Sequence, residues 1–144
     1  MTEKTGTVHW EGNGSQGHGA ISTETSALDQ YPYGFASRFE GQTDGTNPEE
    51  LLAAAHAACM TMAFAFACEK AGFTPTSVDT QCRARLAKVE GGFLIDRLAL
   101  TLKAKVPGLD PGQFQSISQK VKRDCPLSKA LASVPEISLD ATLL

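Results

Sequence analysis

From Leu51 to Ala71, only His56, Thr61, Glu69 and Lys70 interrupt a succession of Ala, Leu, Met, Phe and Cys. The run contains no Gly or Pro and a single β-branched residue, Thr61, so it favours helix throughout. Its start is marked by Asn47 as cap, Pro48 at the first helical position and Glu50 at the third, which predicts a capping box. Lys70 and Gly72 mark its end. A helix with no polar face must be buried on every side, in a protein core or in a bilayer. Abundant Ala, the interruptions at His56 and Thr61, and the lack of a second such run favour a central helix over a membrane span.

The rest of the chain predicts what surrounds it. Thr7 to Trp10 and Gly19 to Thr23 are β-prone runs either side of a Gly-rich stretch and read as an N-terminal hairpin. Tyr33 to Phe39 reads as a third strand, with Tyr33, Phe35, Ser37 and Phe39 on one face and Arg38 on the other. Ser77 to Val89 and Phe93 to Val106 flank Gly91-Gly92 as a long hairpin. One face carries Val78, Thr80, Cys82, Ala84 and Leu86, continued by Leu94, Asp96, Leu98, Leu100, Leu102 and Ala104. Asp110-Pro111 opens a second helix, with Phe114, Ile117, Val121 and Cys125 at helical spacing before Pro126 interrupts it. Glu136 to Leu143 alternates and should return as a strand. The expected class is α+β, with two hairpins packed around two main helices in one domain over residues 1–144.

Charge and cysteine usage narrow the function. A net charge of -3 with 20% charged residues offers no basic field for nucleic acid. The first residues lack the apolar stretch of a secretory signal, so the expected location is the cytoplasm, where thiols stay reduced. Cys59, Cys68, Cys82 and Cys125 include no C-x-x-C pair of the zinc or thioredoxin kind, so any disulfide should be transient. No motif for a cofactor or metal is present.

Cys59 lies mid-helix and Cys125 lies where another helix breaks. Both residues also suit plain packing, since buried Cys behaves as a small hydrophobe. Pro126 can open a new turn through Leu131, which leaves Cys125 beside free amides with Lys122, Arg123 and Lys129 nearby; both favour a thiolate. Glu49 and Arg38 offer a carboxylate and a permanent cation, the one able to fix the other by a bidentate pair. Their alternatives are a first-turn acid complementing the helix dipole and a surface charge. His56 and Cys59 share a helix face, as a metal-dependent hydrolase would need, but no third or fourth ligand stands at recognisable spacing.

Gly45-Thr46-Asn47-Pro48-Glu49-Glu50-Leu51, then Ala54-Ala55-His56-Ala57-Ala58-Cys59, with the distant Cys125-Pro126, resembles the OsmC/Ohr family of peroxide-resistance proteins over nearly the whole chain. His9-Trp10-Glu11-Gly12, Pro32-Tyr33-Gly34-Phe35, Arg38-Phe39-Glu40-Gly41 and Ala71-Gly72-Phe73-Thr74-Pro75-Thr76 look like the OsmC branch. The resemblance implies an OsmC-like fold, an intertwined homodimer with sites at the subunit interface, and a thiol peroxidase acting on organic hydroperoxides. By motif, Cys59 matches the peroxidatic cysteine, Cys125 the resolving one and Glu49 the family glutamate; Arg38 is placed as its partner by similarity to the OsmC branch. Phe35, Phe39 and Met62 are the apolar side chains assigned to an alkyl substrate. Regeneration would need an external dithiol, for which the resemblance suggests a lipoyl-protein. Cys68 and Cys82 match no motif position; Cys68, nine residues past Cys59, faces the opposite side of the helix. The non-enzymatic alternative is a small-ligand binding or structural member of the same fold.

Glu49 and Cys59 are ten residues apart, about 15 Å along a helix and roughly 80° out of phase. Either Arg38 reaches far along the helix, or the acid comes from an antiparallel second copy.

Overall fold

Helix formation begins where the capping residues predict. In the computed structural model, which describes residues 1–144, the order of elements is β1 (Gly6–Glu11), β2 (His18–Thr23), β3 (Tyr31–Tyr33), α1 (Phe35–Phe39), α2 (Pro48–Lys70), β4 (Ser77–Val89), β5 (Gly92–Lys105), α3 (Pro111–Asp124), α4 (Pro126–Ala130) and β6 (Glu136–Leu143). The Glu50 amide donates to Asn47 Oδ1 at 2.8 Å, satisfying one orphan donor of α2. The expected return arm of the capping box is diverted: the Glu50 carboxylate accepts the Thr46 hydroxyl. At the other end the Phe73 amide reaches the Cys68 carbonyl and the Gly72 amide the Glu69 carbonyl, each at 2.9 Å. Gly72 sits at φ +89°. This is the Schellman stop that a glycine permits.

The chain forms two compact units, Met1–Leu51 and Leu52–Leu144. In the first, β1, β2 and β3 make an antiparallel sheet in that order, with Gly6 opposite Thr23 and Glu11 opposite His18. The third strand is shorter than expected. It ends at Tyr33, and Phe35 to Phe39 form the helical turn α1 instead of a strand. Two local interactions explain the difference. The Ser37 hydroxyl accepts the Gly34 amide at 3.0 Å, competing with a strand ladder for that donor. Phe35 and Phe39, four apart, then meet with ring centroids at 4.9 Å, a contact that only the helical spacing allows.

In the second unit, β5 lies between β4, antiparallel to it, and β6, parallel to it. A parallel neighbour needs a crossover connection, which α3 and α4 supply. Met60, Phe64 and Cys68 of α2 pack with Leu100, Leu102 and Ala104 of β5 and with Phe114 and Val121 of α3. Phe64 and Phe114 meet edge to face at 5.6 Å. The Thr61 and Thr80 hydroxyls bond at 2.7 Å and tie α2 to β4. The face expected on the second strand of the long hairpin holds only beyond a bulge at Arg85/Leu86. Before it the alternation is shifted, so Leu94 is exposed and Ile95 half-buried.

Helix α2 departs from the expectation of burial on all sides. Ala53, His56, Met60, Phe64 and Cys68 form one buried stripe, while Ala55, Ala58, Met62 and Phe66 are exposed, the last two at 64% and 63%. A three-stranded sheet and one helix cover only part of a cylinder about 10 Å across. The helix is long and apolar enough to cross a membrane by length and composition, yet its buried stripe is engaged in the core just described.

Candidate active site

Two clusters of the residues singled out above are assembled, one in each unit. The first is Arg38 with Glu49. Arg38 Nη2 donates to Glu49 Oε1 at 2.7 Å, and Arg38 Nε lies 3.2 Å from both carboxylate oxygens. Glu49 is 8% exposed, whereas the Arg38 side chain is 37% exposed, so the acid is fixed and the cation reaches solvent. The guanidinium carbon also lies 5.2 Å from the Phe39 ring centroid. The turn carrying Arg38 is clamped to the start of α2. The Ser37 hydroxyl donates to the Thr46 carbonyl at 2.8 Å, and the Asn47 side-chain amide donates to the Ser37 carbonyl at 3.2 Å. Gly45 permits this approach, because a Cβ there would lie 2.9 Å from the Pro32 carbonyl and 3.2 Å from Ser37 Cβ.

The second cluster brings Cys59 and Cys125 together. Cys125 ends α3 and caps α4, with Pro126 at the first helical position. A cap exposes the first-turn amides, and here they are divided between two sulfurs. The Ser128 amide donates to Cys125 Sγ at 3.4 Å, while the Leu127 amide and the Cys125 thiol both act on the Cys59 sulfur from close by. Burial pushes the Cys59 thiol above its ordinary 9.0; the Cys125 thiol pushes the same way, and the Leu127 amide pulls back. Within one chain the balance therefore favours the neutral thiol. Both cysteines are free, Cys59 half-buried and Cys125 buried.

Of the cations expected around Cys125, Lys129 and Arg123 also act on the neighbouring Asp124. Lys120 first, then Lys129 and Arg123, hold the Asp124 carboxyl below its usual range. The Cys125 sulfur meets Ser128, whose Oγ is 3.2 Å away and in turn 2.9 Å from His56 Nε2. Neither Ser128 nor the Leu127 amide stood out in the sequence. The signal was there: Cys125-Pro126-Leu127-Ser128 places them at the third and second positions after a cap, where free amides lie. His56 is fully buried and hydrogen-bonded, and no three His, Cys, Asp or Glu side chains converge to hold a metal.

Phe35 and Phe39 flank Arg38 on α1, while Met62 lies on the exposed stripe of α2 beside Phe66 and Phe73. Cys68 is buried in the core of the second unit and Cys82 packs against it. A groove of about 430 Å³ between α2 and α3, lined by Ala63, Ala67, Ile117 and Val121, ends at Cys125 and Pro126.

Comparison with known proteins converges on one family. Residues 41–140 match the OsmC family, described as OsmC-like protein. The chain is 51% identical over 140 residues to the Peroxiredoxin OsmC of Escherichia coli (strain K12), covering 97% of this chain and 96% of that protein. It is 34% identical over 97 residues to an Organic hydroperoxide resistance protein of Xanthomonas axonopodis pv. citri (strain 306), covering 67% and 66% of the two chains. Among solved structures, the Organic Hydroperoxide Resistance Protein OhrB of Bacillus subtilis superposes with a TM-score of 0.67 at 28% identity over 97% of this chain and 98% of that one. On the strength of its sequence and its fold, the chain belongs to the OsmC family.

Proposed function

We propose that this protein is a thiol peroxidase of oxidative-stress defence that reduces organic hydroperoxides with Cys59 and resolves the product with Cys125. The pairing of the two thiols under the first-turn amides of α4 carries the reading. The Cys59 thiolate attacks the distal peroxide oxygen; the O–O bond breaks, an alcohol leaves and Cys59 becomes a sulfenic acid. Cys125 then attacks that sulfur, forming the disulfide and releasing water. An external dithiol, a lipoyl-protein by family likeness, accepts the oxidising equivalents and restores both thiols. The apolar groove ending at Cys125 suits a reductant arm or an alkyl chain. Such a cycle belongs in a reducing compartment such as the cytoplasm.

A thiolate at Cys59 needs a cation that counters burial, and Arg38 held by Glu49 is the proposed source. The homodimer is part of the same reading. It is supported by the exposed apolar stripe Ala55, Ala58, Met62 and Phe66, which a second copy of α2 would cover.

The test is hydroperoxide consumption with a dithiol donor. Cys59→Ser should consume none, and Cys125→Ser should consume one equivalent and accumulate sulfenic or over-oxidised Cys59. Wild-type turnover in both variants overturns the two-cysteine cycle. Mixing Cys59→Ser with Glu49→Gln tests the dimer: heterodimers should recover activity if the two residues act in trans, and none after verified exchange refutes it.

A further inference from the structure

We infer that His56 is a positioning residue for the resolving step: its Nε2–H donates to Ser128, which turns the Ser128 hydroxyl proton onto the Cys125 sulfur and readies that sulfur to attack. This rests on the two-cysteine cycle proposed above and adds to it the groups that prepare Cys125.

The observations are geometric. His56 is fully buried on α2, 72 positions from Ser128 on α4, yet His56 Nε2 and Ser128 Oγ are 2.9 Å apart. Ser128 Oγ is 3.2 Å from Cys125 Sγ. Ser128 is itself 6% exposed and Cys125 2%, so water does not substitute freely for any member of the chain. The direction of the bonds follows from the one nitrogen left over: His56 Nδ1 is buried with no hydrogen-bond partner. Burial holds the His56 pKa below its ordinary value, so the ring is neutral and carries a single N–H. A proton on Nδ1 would be a buried orphan donor, which native structures avoid more strictly than an unused acceptor. The proton therefore belongs on Nε2, where it is used. Ser128 Oγ accepts it and has one proton left to give, and the Cys125 sulfur lies in reach. That sulfur then takes two donors from Ser128, its hydroxyl at 3.2 Å and its amide at 3.4 Å. Both hold the sulfur in a fixed place from which it can attack a sulfenic acid.

The step balances without a further reagent. The Cys125 thiolate attacks Cys59 sulfur, the S–S bond forms and the S–O bond breaks. Hydroxide leaves and takes up the proton that Cys125 has released, giving water. The organic hydroperoxide of the first step is the only oxidant.

The experiment follows one turnover of the reduced full-length protein with a stoichiometric alkyl hydroperoxide. Cys59 sulfenic acid is trapped with dimedone, and the Cys59–Cys125 disulfide is quantified by mass spectrometry against time. In His56→Leu and in Ser128→Ala, disulfide formation should slow by about ten- to a hundredfold while trapped sulfenic acid accumulates. The double variant should be no slower than either single one. His56→Gln, which keeps an N–H donor near the Nε2 position and has no basic nitrogen, should recover a rate within about threefold of wild type. A structural loss would not be repaired in this way. The inference is overturned if His56→Gln is as slow as His56→Leu, or if Ser128→Ala resolves at the wild-type rate; the Ser128 variant decides the matter should His56→Leu fail to fold. Absence of any Cys59–Cys125 disulfide in the wild type overturns the parent cycle, a result distinct from a wild-type disulfide whose rate ignores both residues.

Discussion

Replacing Glu49 by Gln keeps the shape of the side chain and removes its charge, which isolates what the carboxylate does for Arg38. Glu49 is 8% exposed and meets two nitrogens of Arg38 at 2.7 to 3.2 Å, but the Arg38 side chain is 37% exposed. Breaking a fully buried ion pair costs about 3–5 kcal/mol, and an exposed pair contributes about 0–1 kcal/mol. With one partner buried and the other reaching water, the coupling between the two should be about 1–2 kcal/mol, a fall of about 3–6 °C in Tm for a chain of this size. The assay is a double-mutant cycle of Glu49→Gln and Arg38→Met by urea denaturation, which cancels effects of either change on its own surroundings. Repeating it in about 1 M salt, where the Debye length is about 3 Å, should preserve most of the coupling, because the carboxylate is shielded from ions. Under the proposed chemistry both single variants lose hydroperoxide turnover to a similar degree, since Glu49 acts by aiming the guanidinium. A coupling below about 0.3 kcal/mol would refute the reasoning.

The remaining expectations concern the core, the clamp and the thiols. Phe64→Ala empties a fully buried site against Phe114 and should cost about 3–5 kcal/mol by urea denaturation, and a loss below about 1 kcal/mol would contradict the packing described. Gly45→Ala forces a Cβ to 2.9 Å from the Pro32 carbonyl, so a loss of about 1–3 kcal/mol is expected in thermal unfolding, and unchanged stability would show that the clamp on Arg38 is slack. Burial raises the pKa of Cys59, Cys68 and Cys82 above the ordinary 9.0, so the folded chain holds these protons more tightly than the unfolded one. Their contribution is present below pH 9.0 and is lost as pH rises through the folded values. Stability should therefore fall above about pH 9 in reducing buffer, less steeply in a Cys68→Ala, Cys82→Ala double variant, and an equally steep fall there would assign the effect elsewhere.

Local chemistry was legible wherever neighbouring residues decide it. The start of α2 at Asn47-Pro48, its stop at Gly72, the Asp110 cap and both hairpins follow from caps, turns and periodicity, which act over a few residues. The same locality kept α1 out of view: alternation over Tyr33 to Phe39 suits a strand, and the Ser37 hydroxyl bridging Gly34 and Thr46, with the Phe35–Phe39 ring contact, tips it to a helical turn. Periodicity also showed that α2 is apolar all round without showing which stripe a single chain buries, because that depends on where β5 and α3 pack. Cysteines 66 positions apart carry no distance in a sequence; the meeting of Cys59 with Cys125 is set by α4 turning at Pro126 and offering its first amides to both sulfurs. The hydrogen bond between His56 and Ser128 is likewise a product of packing alone. Residue types state what chemistry each side chain is capable of, and tertiary structure decides which groups share a low-dielectric site where that chemistry gains strength.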